Sequence, residues 1–333
     1  MPCSRKNLLL ALFTSLALLS MQGAFAWDSV GHRLSAAVAS NYLSDNSKTE
    51  LLKILQQHPR YQQDFLQQMP ASIARGSEEA RFVWLLGQAA FWPDITRGLP
   101  EAERKRYNRA NWHYIDGAWL RGQAQVQGNT YIGVGPFDDI AGKSAQTIRN
   151  EASADNVMAA LDYNTNLLAD SQASLPQRAV ALCWVLHLIG DIHQPLHTGS
   201  LYSANRFSTG DRGGNGIEAG GRNLHARWDR AVSSQGINAN LETLLRQHST
   251  TLERMGLQDY EDWSLWMQES RALLLNTVYT EEMKSEIARS DSSTQKLRKF
   301  DLSDDYVEAM KYHARLRLAL AGRRLATWFE AKL

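Results

Sequence analysis

Histidine and aspartate residues recur at helical spacing in the second half of this 333-residue chain. His187 and Asp191 lie four residues apart in an otherwise apolar run, and His225 and Asp229 repeat the interval. Side chains at positions i and i+4 of an α-helix share one face. Because an ionised carboxylate on a buried helix is costly without a partner, each pair predicts either a bound metal ion or a histidine–aspartate pair that satisfies itself in the core.

A proline separates the two pairs and predicts a break in the helix. Pro195 follows Asp191 closely and should end the helix, which would direct His197 away from the face that carries His187. His197 could then join His225 and Asp229 as three protein ligands of a zinc ion with open positions, as in a catalytic site. His193 points elsewhere on the helix, and we interpret it as a structural histidine or one that supports a ligand.

Two further candidates lie nearer the N-terminus, and neither is specific on its own. Asp94 follows a proline, which is typical of a helix cap, and His113 lies among aromatic residues, which is typical of a core position. The remaining histidines lack ligand spacing and are interpreted as structural or exposed: His58, His248 and His313.

The first 26 residues have the features of a secretory signal peptide. Arg5 and Lys6 precede an apolar run over residues 8–19, and the segment closes on Ala-Phe-Ala at residues 24–26. The alternative is an uncleaved membrane anchor, but the run is shorter than the ~20 residues that span a bilayer. Cleavage would make Trp27 the first residue of a soluble protein without an anchor, secreted or periplasmic.

Charge and cysteine content narrow the function classes. Loss of the leader leaves 34 basic residues against 35 acidic ones, whereas a protein that grips long duplexes usually has a basic surplus. It also leaves Cys183 as the single cysteine, so no intramolecular disulfide can form. No motif indicates a protein partner.

Apolar residues recur mostly at three- and four-residue spacing, which predicts an all-α fold. Ser47 and Glu50 form a capping-box pattern that would open one helix. Two glycine-rich loops, at 121–136 and 199–223, interrupt the helices, and without repeats or linkers the simplest organisation is one domain over 27–333. Further helices are predicted at 60–75, 78–91, 144–169, 176–194, 236–248, 258–290 and 302–331.

Several short motifs together resemble the secreted zinc-dependent single-strand-specific nucleases, also called 3'-nucleotidase/nucleases, which include fungal extracellular enzymes and plant bifunctional nucleases. The resemblance covers the chain from Trp27 to about Asp229, and the remaining C-terminal part is similar only in its helical character. The motifs are Trp27 with His32, Trp92 to Arg97, His113 to Asp116, His187 to His197, Asp211 to Asn215, and Asn223 to Asp229.

The resemblance implies three zinc ions and assigns their ligands. The first ion would be bound by Asp94, His113, His187 and Asp191. The second would be bound by the α-amino group and carbonyl of Trp27, by His32 and by a bridging Asp191. The third, implied to be more exposed, would be bound by His197, His225 and Asp229. A free amine at Trp27 requires removal of the leader.

The resemblance also implies the reaction. Such enzymes hydrolyse the 3'-O–P bond of single-stranded DNA and RNA and of 3'-nucleotides, and they leave 5'-phosphate products. Arg97 would stabilise the transition state together with the zinc-ligating Asp94. Tyr114 would stack against a base, and Asp116 would hydrogen-bond the base edge. Stacking requires an unpaired base, which accounts for the preference for single strands.

Two features depart from the family pattern, and two other functions remain open. Family members commonly carry disulfides, which this chain lacks, and Arg230 replaces a small polar residue at the edge of the phosphate site. A zinc phospholipase C shares the helical fold and the three-ion principle. It differs in ending its ligand series with His-x-x-x-Glu and in having a longer gap after the N-terminal Trp. An exported zinc-storing or zinc-sensing protein is the non-catalytic alternative, although storage requires neither Arg97 nor Tyr114.

Overall fold

The computed structural model describes residues 27–115, 130–133, 150–255, 260–291 and 296–333, and within these ranges the chain is mainly helical. The predicted fold class is therefore confirmed. The first helices are α1 (Ser29–Ser40), α2 (Asp45–Leu55), α3 (Ala71–Ala74), α4 (Glu78–Ile95), α5 (Glu101–Tyr107) and α6 (Val157–Ala169). They are followed by α7 (Leu175–Ile192), α8 (Leu224–Asp229), α9 (Gly236–Met255), α10 (Trp263–Leu273), α11 (Glu281–Ser290) and α12 (Asp304–Lys332). No helix in the described ranges is long and apolar enough to cross a membrane.

Helix starts follow side-chain capping. The carboxylate of Asp28 accepts from the backbone N–H of Val30 and Gly31 at the start of α1. The prediction that Ser47 opens α2 is wrong by three residues, because Ser44 is the cap and its hydroxyl accepts from the Ser47 N–H at 3.2 Å. The backbone N–H of Ser44 donates to Glu330 Oε1 at 2.7 Å. This contact with a distant part of the chain favours Ser44 over Ser47 as the cap.

Two of the predicted helices are interrupted. The segment 60–75 contains a π-helical turn (Tyr61–Phe65), a 3-10 turn (Leu66–Gln68) and the short α3, because Pro70 cannot donate a backbone hydrogen bond. The segment 258–290 divides after a π-helical turn at Leu274–Val278, and Thr280 caps α11. Within 144–169 the described part is a 3-10 turn (Glu151–Ser153) followed by α6.

Short strands replace part of the predicted loops. In the second glycine-rich loop, β2 (Ser200–Ser203) pairs antiparallel with β1 (Thr130–Gly133), and β3 (Glu218–Ala219) pairs with β4 (Arg222–Asn223). Gly220 and Gly221 connect β3 to β4 with φ of 55° and 79°, which is the left-handed region that a two-residue hairpin turn requires. The rest of the loop 121–136 lies outside the described residues.

The core is built where α1 packs against α4, α7 and α12. The helices α1 and α12 approach closely, since a Cβ on Gly322 would lie 2.4 Å from the carbonyl oxygen of Ser35. Cys183 is buried in α7 as a free thiol. The large side chains that fill the core include fully buried tryptophans, namely Trp27, Trp92, Trp184, Trp228, Trp266 and Trp328.

Candidate metal centre

Four separate elements bring five buried side chains together, and we call this group the first cluster. His32 comes from α1, Asp94 from α4, His113 from the 3-10 turn Ala110–His113, and His187 and Asp191 from α7. All five are at most 5% exposed. The sequence separation of these residues shows why no local pattern could reveal the whole group.

The carboxylate of Asp191 lies at the centre of the first cluster. Its Oδ2 lies 3.1 Å from His113 Nδ1 and 3.2 Å from His187 Nε2, while its Oδ1 lies 3.5 Å from His32 Nε2. The two carboxylate oxygens therefore face different histidines. This geometry suits a carboxylate that bridges two cations.

Asp94 lies beside the same histidines and also contacts an arginine. Its carboxylate and ring nitrogens of His32 and His187 lie within 4.8 Å of one another. Asp94 is not a helix cap, because α4 continues through Pro93 to Ile95. The guanidinium of Arg97 lies 3.0 Å from Asp94 Oδ1 and is 21% exposed, so it reaches from the buried cluster toward solvent.

A second cluster of three side chains forms after the break at Pro195. His197 Nε2 lies 3.1 Å from His225 Nε2, which in turn lies 3.6 Å from Asp229 Oδ2. The helix α7 ends at Ile192, and the 3-10 turn Pro195–His197 directs His197 toward α8. All three side chains are as buried as those of the first cluster. The burial of these ligands therefore does not distinguish the predicted third zinc site from the other two.

Backbone carbonyls orient the imidazoles of both clusters. The Nδ1 atoms of His187, His197 and His225 face the carbonyl oxygens of Ala90, His113 and Gly213, respectively. A carbonyl oxygen only accepts, so each Nδ1 carries a proton, and in the neutral tautomer of each ring the Nε2 lone pair points into its cluster. In the second cluster two such lone pairs face each other, which is unfavourable unless a cation lies between them.

The donor set fits a metal ion. Buried imidazole nitrogens and carboxylate oxygens are the ligands that zinc prefers when thiolates are absent. Unsatisfied buried polar atoms are otherwise rare in folded proteins. Among the described residues, the first-cluster atoms without a hydrogen-bond partner include Nδ1 and Nε2 of His32, Oδ2 of Asp94, Nε2 of His113 and Oδ1 of Asp191, while Oδ1 of Asp94 has its ion pair with Arg97.

Burial sets the protonation of several ligands. It lowers the pKa of His32 well below its usual value and lowers the pKa of His113 to about 4, so both rings are neutral at pH 7 and can offer a lone pair. Burial also raises the pKa of the Asp229 carboxyl well above its ordinary value, although the hydrogen bond from Gln194 opposes this shift. A nearby cation would return that carboxyl to its ionised form.

The start of the described chain is fixed between the two clusters. Trp27 is fully buried, and its indole Nε1 donates to the carbonyl oxygen of Gly190 at 3.0 Å, one residue before Asp191. The N–H of Asp28 donates to the carbonyl oxygen of Asp229 at 3.3 Å. Gly190 leaves room for this arrangement, since a Cβ there would lie 2.9 Å from His32 Nδ1.

Two supporting residues were not singled out from the sequence. Gln194 is fully buried, and its amide donates to Asp229 Oδ1 at 2.7 Å while its oxygen accepts from the Leu196 N–H at 2.6 Å. Asp211 accepts from the N–H of Leu201 and of Gly214 and so shapes the loop whose Gly213 carbonyl orients His225. Both residues lie within motifs that carry the family resemblance, His187 to His197 and Asp211 to Asn215, and this position could have identified them as candidates.

The other predicted residues have mixed outcomes. Tyr114 follows His113 directly and is 38% exposed, so its ring is accessible to a ligand. Asp116 lies outside the described residues.

His193 is turned away from both clusters, with Nδ1 facing the carbonyl oxygen of Ile189 and Nε2 lying 2.8 Å from Arg324, which agrees with its interpretation as structural. His58 and His248 are buried away from the clusters.

The fold and the two clusters define a mainly helical protein with a candidate centre for several cations. The chain belongs to the S1/P1 nuclease family, whose model matches residues 27–333. Over 317 residues it is 22% identical to Nuclease S1 of Aspergillus oryzae, covering 92% of this chain and 91% of that protein. It is 22% identical over 254 residues to Endonuclease 3 of Arabidopsis thaliana, covering 73% and 68% of the two chains. The resemblance identified from the motifs is confirmed, and the chain is a nuclease.

Proposed function

We propose that the chain is a secreted or periplasmic zinc-dependent endonuclease and 3'-nucleotidase. It would hydrolyse the 3'-O–P bond of single-stranded DNA and RNA and of 3'-nucleotides, leaving 5'-phosphates. The observation that carries this proposal is the convergence of imidazole lone pairs and carboxylates in two buried clusters within a chain of the S1/P1 nuclease family.

Three zinc ions would be held by residues of the two clusters. Asp94, His113, His187 and Asp191 would bind one ion, and His197, His225 and Asp229 would bind another. His32, the bridging Asp191, and the amino group and carbonyl of Trp27 would bind the remaining one. The two carboxylate oxygens of Asp191 support its bridging role, because Oδ1 faces His32 while Oδ2 faces His113 and His187. When bound, zinc lowers the pKa of water and neutralises charge on phosphate.

The chain's own residues would orient and stabilise the reacting phosphate. Arg97 is held by the buried carboxylate of Asp94 and is partly exposed, so its guanidinium can donate to phosphoryl oxygens at the edge of the first cluster. A preorganised donor of this kind stabilises charge that develops in the transition state. Arg97 would therefore be a catalytic residue in this proposal, and Asp94 would both bind zinc and hold Arg97.

Preference for single strands would come from the accessible ring of Tyr114. A base can stack on this ring only after it leaves its own helical stack, and such stacking contributes about 1–3 kcal/mol per base. The backbone oxygen of Tyr114 accepts from the Val157 N–H at 3.1 Å, which fixes this segment against α6. Asp116 would hydrogen-bond the edge of the stacked base.

Export and maturation would belong to the same function. A signal peptide over residues 1–26 would be removed, because an amine that can bind metal exists at Trp27 only after Ala26 has been cut away. The buried Trp27 ring supports this role, since its hydrogen bond to the Gly190 carbonyl holds Trp27 one residue along the chain from Asp191. The single domain over 27–333 would draw its ligands from α1 through α8.

The test is hydrolysis by the mature protein, beginning at Trp27, of single-stranded DNA, a 3'-nucleotide and phosphatidylcholine. We expect turnover of the first two, loss of turnover after chelation, and recovery when zinc is added. Release from phosphatidylcholine alone would favour a phospholipase C, and stable zinc binding without any turnover would favour an exported zinc-binding protein. Either result would overturn the proposal.

A further inference from the structure

A pocket of about 480 Å³ lies next to the loop that supports the second cluster. It is lined by the β3–β4 hairpin, by residues 296–298, by Arg206 and Phe207, and by residues 215–216. We call it the basic pocket. None of the eight side chains in the two clusters lines it, so it is a separate feature of the molecule.

The walls of the basic pocket are fixed by backbone hydrogen bonds. The N–H of Phe300 donates to the carbonyl oxygen of Glu218 at 2.9 Å, and the N–H of Gly220 donates to the carbonyl oxygen of Phe300 at 2.8 Å. The segment that contains Lys296 and Arg298 is therefore held against the hairpin that contains Arg222. The backbone segments that carry Arg222, Lys296 and Arg298 are therefore fixed relative to one another.

The charge of the basic pocket is unbalanced. Four cationic side chains line it against one carboxylate, that of Glu218, which is already paired with Lys299 outside the pocket. Arg298 is paired with Glu282. Arg222 and Lys296 are exposed, and neither has a carboxylate within ion-pair distance in the described part of the chain.

Acidic groups on the neighbouring helix do not neutralise these two cations. Glu282 and Glu286 of α11 contact Arg298 and Arg289. The guanidinium of Arg206 donates to the carbonyl oxygen of Ser290 at 2.9 Å. The two remaining cations, Arg222 and Lys296, therefore favour an anionic ligand in the pocket.

The chain connects this pocket directly to the second cluster. Asn223 lines the pocket and caps α8 by accepting from the Ala226 N–H at 2.7 Å, which places it two residues before His225. On the other side, Asn215 follows the Gly213 carbonyl that orients His225. A strand with one phosphate at the second cluster therefore has a cationic pocket on the adjoining surface.

We propose that the basic pocket binds a phosphodiester group of the single-stranded substrate, beyond the phosphate that is hydrolysed. This inference rests on the proposed function. Phosphate contacts by arginine and lysine position a strand without reading its sequence, and they make affinity depend on salt. A nearly neutral chain can bind a polyanion in this way where two uncompensated cations, Arg222 and Lys296, line one pocket.

The test compares three double variants, each assayed as zinc-loaded mature protein. Arg222→Gln with Lys296→Gln removes both cations, and Arg222→Lys with Lys296→Arg keeps the charge. Arg75→Gln with Arg104→Gln is the matched control, since both residues are exposed and neither lines the pocket. Fluorescence anisotropy measures the Kd for a nuclease-resistant phosphorothioate 12-mer of thymidine, and kinetics measure KM for a 3'-mononucleotide.

We expect the charge-removing variant to raise the 12-mer Kd about tenfold and to reduce its salt slope by about 0.7, the value for one lost phosphate contact on a single strand. The mononucleotide KM should stay unchanged, and the other two variants should resemble the unmodified protein. An unchanged 12-mer Kd would overturn the inference. If the charge-removing variant weakened inhibition by inorganic phosphate but not 12-mer binding, the pocket would be a free-phosphate site. An unmodified protein that neither binds nor cleaves single strands would instead overturn the proposed function.

Discussion

Replacing Gln194 with methionine would test how a buried amide supports the second cluster. Methionine keeps the length of the side chain but removes both hydrogen bonds, one to Asp229 Oδ1 at 2.7 Å and one from the Leu196 N–H at 2.6 Å. Gln194 is fully buried, so water cannot replace either bond. The Asp229 carboxylate would then lose the donor that fixes its orientation toward His225.

The expected loss can be estimated from these two bonds. A buried hydrogen bond to a charged group contributes about 1.5–3 kcal/mol, and one between neutral groups contributes about 1 kcal/mol. Loss of a hydrogen bond that orients a metal ligand typically costs about 10–100-fold in metal affinity. We therefore expect zinc affinity at the second cluster to fall by this factor, while zinc at the first cluster stays bound.

The effect should also depend on pH. The hydrogen bond from Gln194 lowers the pKa of Asp229, which burial raises, so the variant should have a still higher pKa there. Protons then compete with zinc more strongly, and the affinity loss should grow as the pH falls from 8 to 6.

The assay is zinc titration against a competing chelator at pH 6, 7 and 8, with Gln194→Glu as a second variant. An ionised glutamate would place a second carboxylate beside Asp229 and could not donate the hydrogen bond to Asp229 Oδ1. Repulsion between the two carboxylates should displace Asp229 and should therefore also lower the zinc affinity of the second cluster. An unchanged affinity for the weakest-bound zinc in the methionine variant would refute the support that we assign to Gln194. Loss of all zinc together would refute the separation into two clusters.

Three further predictions concern other parts of the molecule. One glycine added before Trp27 should lower zinc content by about one ion per chain and reduce turnover, as measured by elemental analysis and kinetics; full zinc and full rate would contradict this. Tyr114→Ala should raise KM for single-stranded DNA about tenfold, whereas Tyr114→Phe should leave it within about twofold, because stacking needs only the ring; equal KM values would refute the stacking role. Burial raises the pKa of Asp162 from 3.8 to about 6, against the hydrogen bond from Trp263. Its folded-state pKa lies above the unfolded one, so stability present below about pH 4 is lost as the pH rises to 6, and Asp162→Asn should stabilise the fold by about 1 kcal/mol at pH 7.5 but not near pH 4. Urea unfolding at both pH values measures the difference, and equal shifts at both would exclude the carboxyl as its origin.

Sequence periodicity predicted most of the helical architecture but not all of it. The helices α4, α7, α9 and α12 begin within two residues of their predicted positions. The helix α1 was not predicted, because the small and polar residues between Val30, Leu34 and Val38 weaken its apolar pattern and it is buried on nearly every side. Only packing against α4, α7 and α12 makes such a helix stable, and this information is not local.

The candidate site divides in the same way. The i, i+4 pairs and the break at Pro195 follow from helix geometry, and the structure places His197 beside His225 and Asp229. Asp94 and His113 could be assigned only through the resemblance, because each belongs to an element that approaches α7 in the folded chain. The carbonyl oxygens of Ala90 and Gly213 orient His187 and His225. Because every residue type has a backbone carbonyl, the sequence could not indicate which ones contact the histidines.

Anomalous diffraction at the zinc absorption edge from crystals of the mature protein tests the central claim most directly. We predict three peaks. One should lie among Asp94, His113, His187 and Asp191, one between His32 and the amino group of Trp27, and one among His197, His225 and Asp229. Zinc-saturated crystals with no anomalous peak in either cluster would contradict the account.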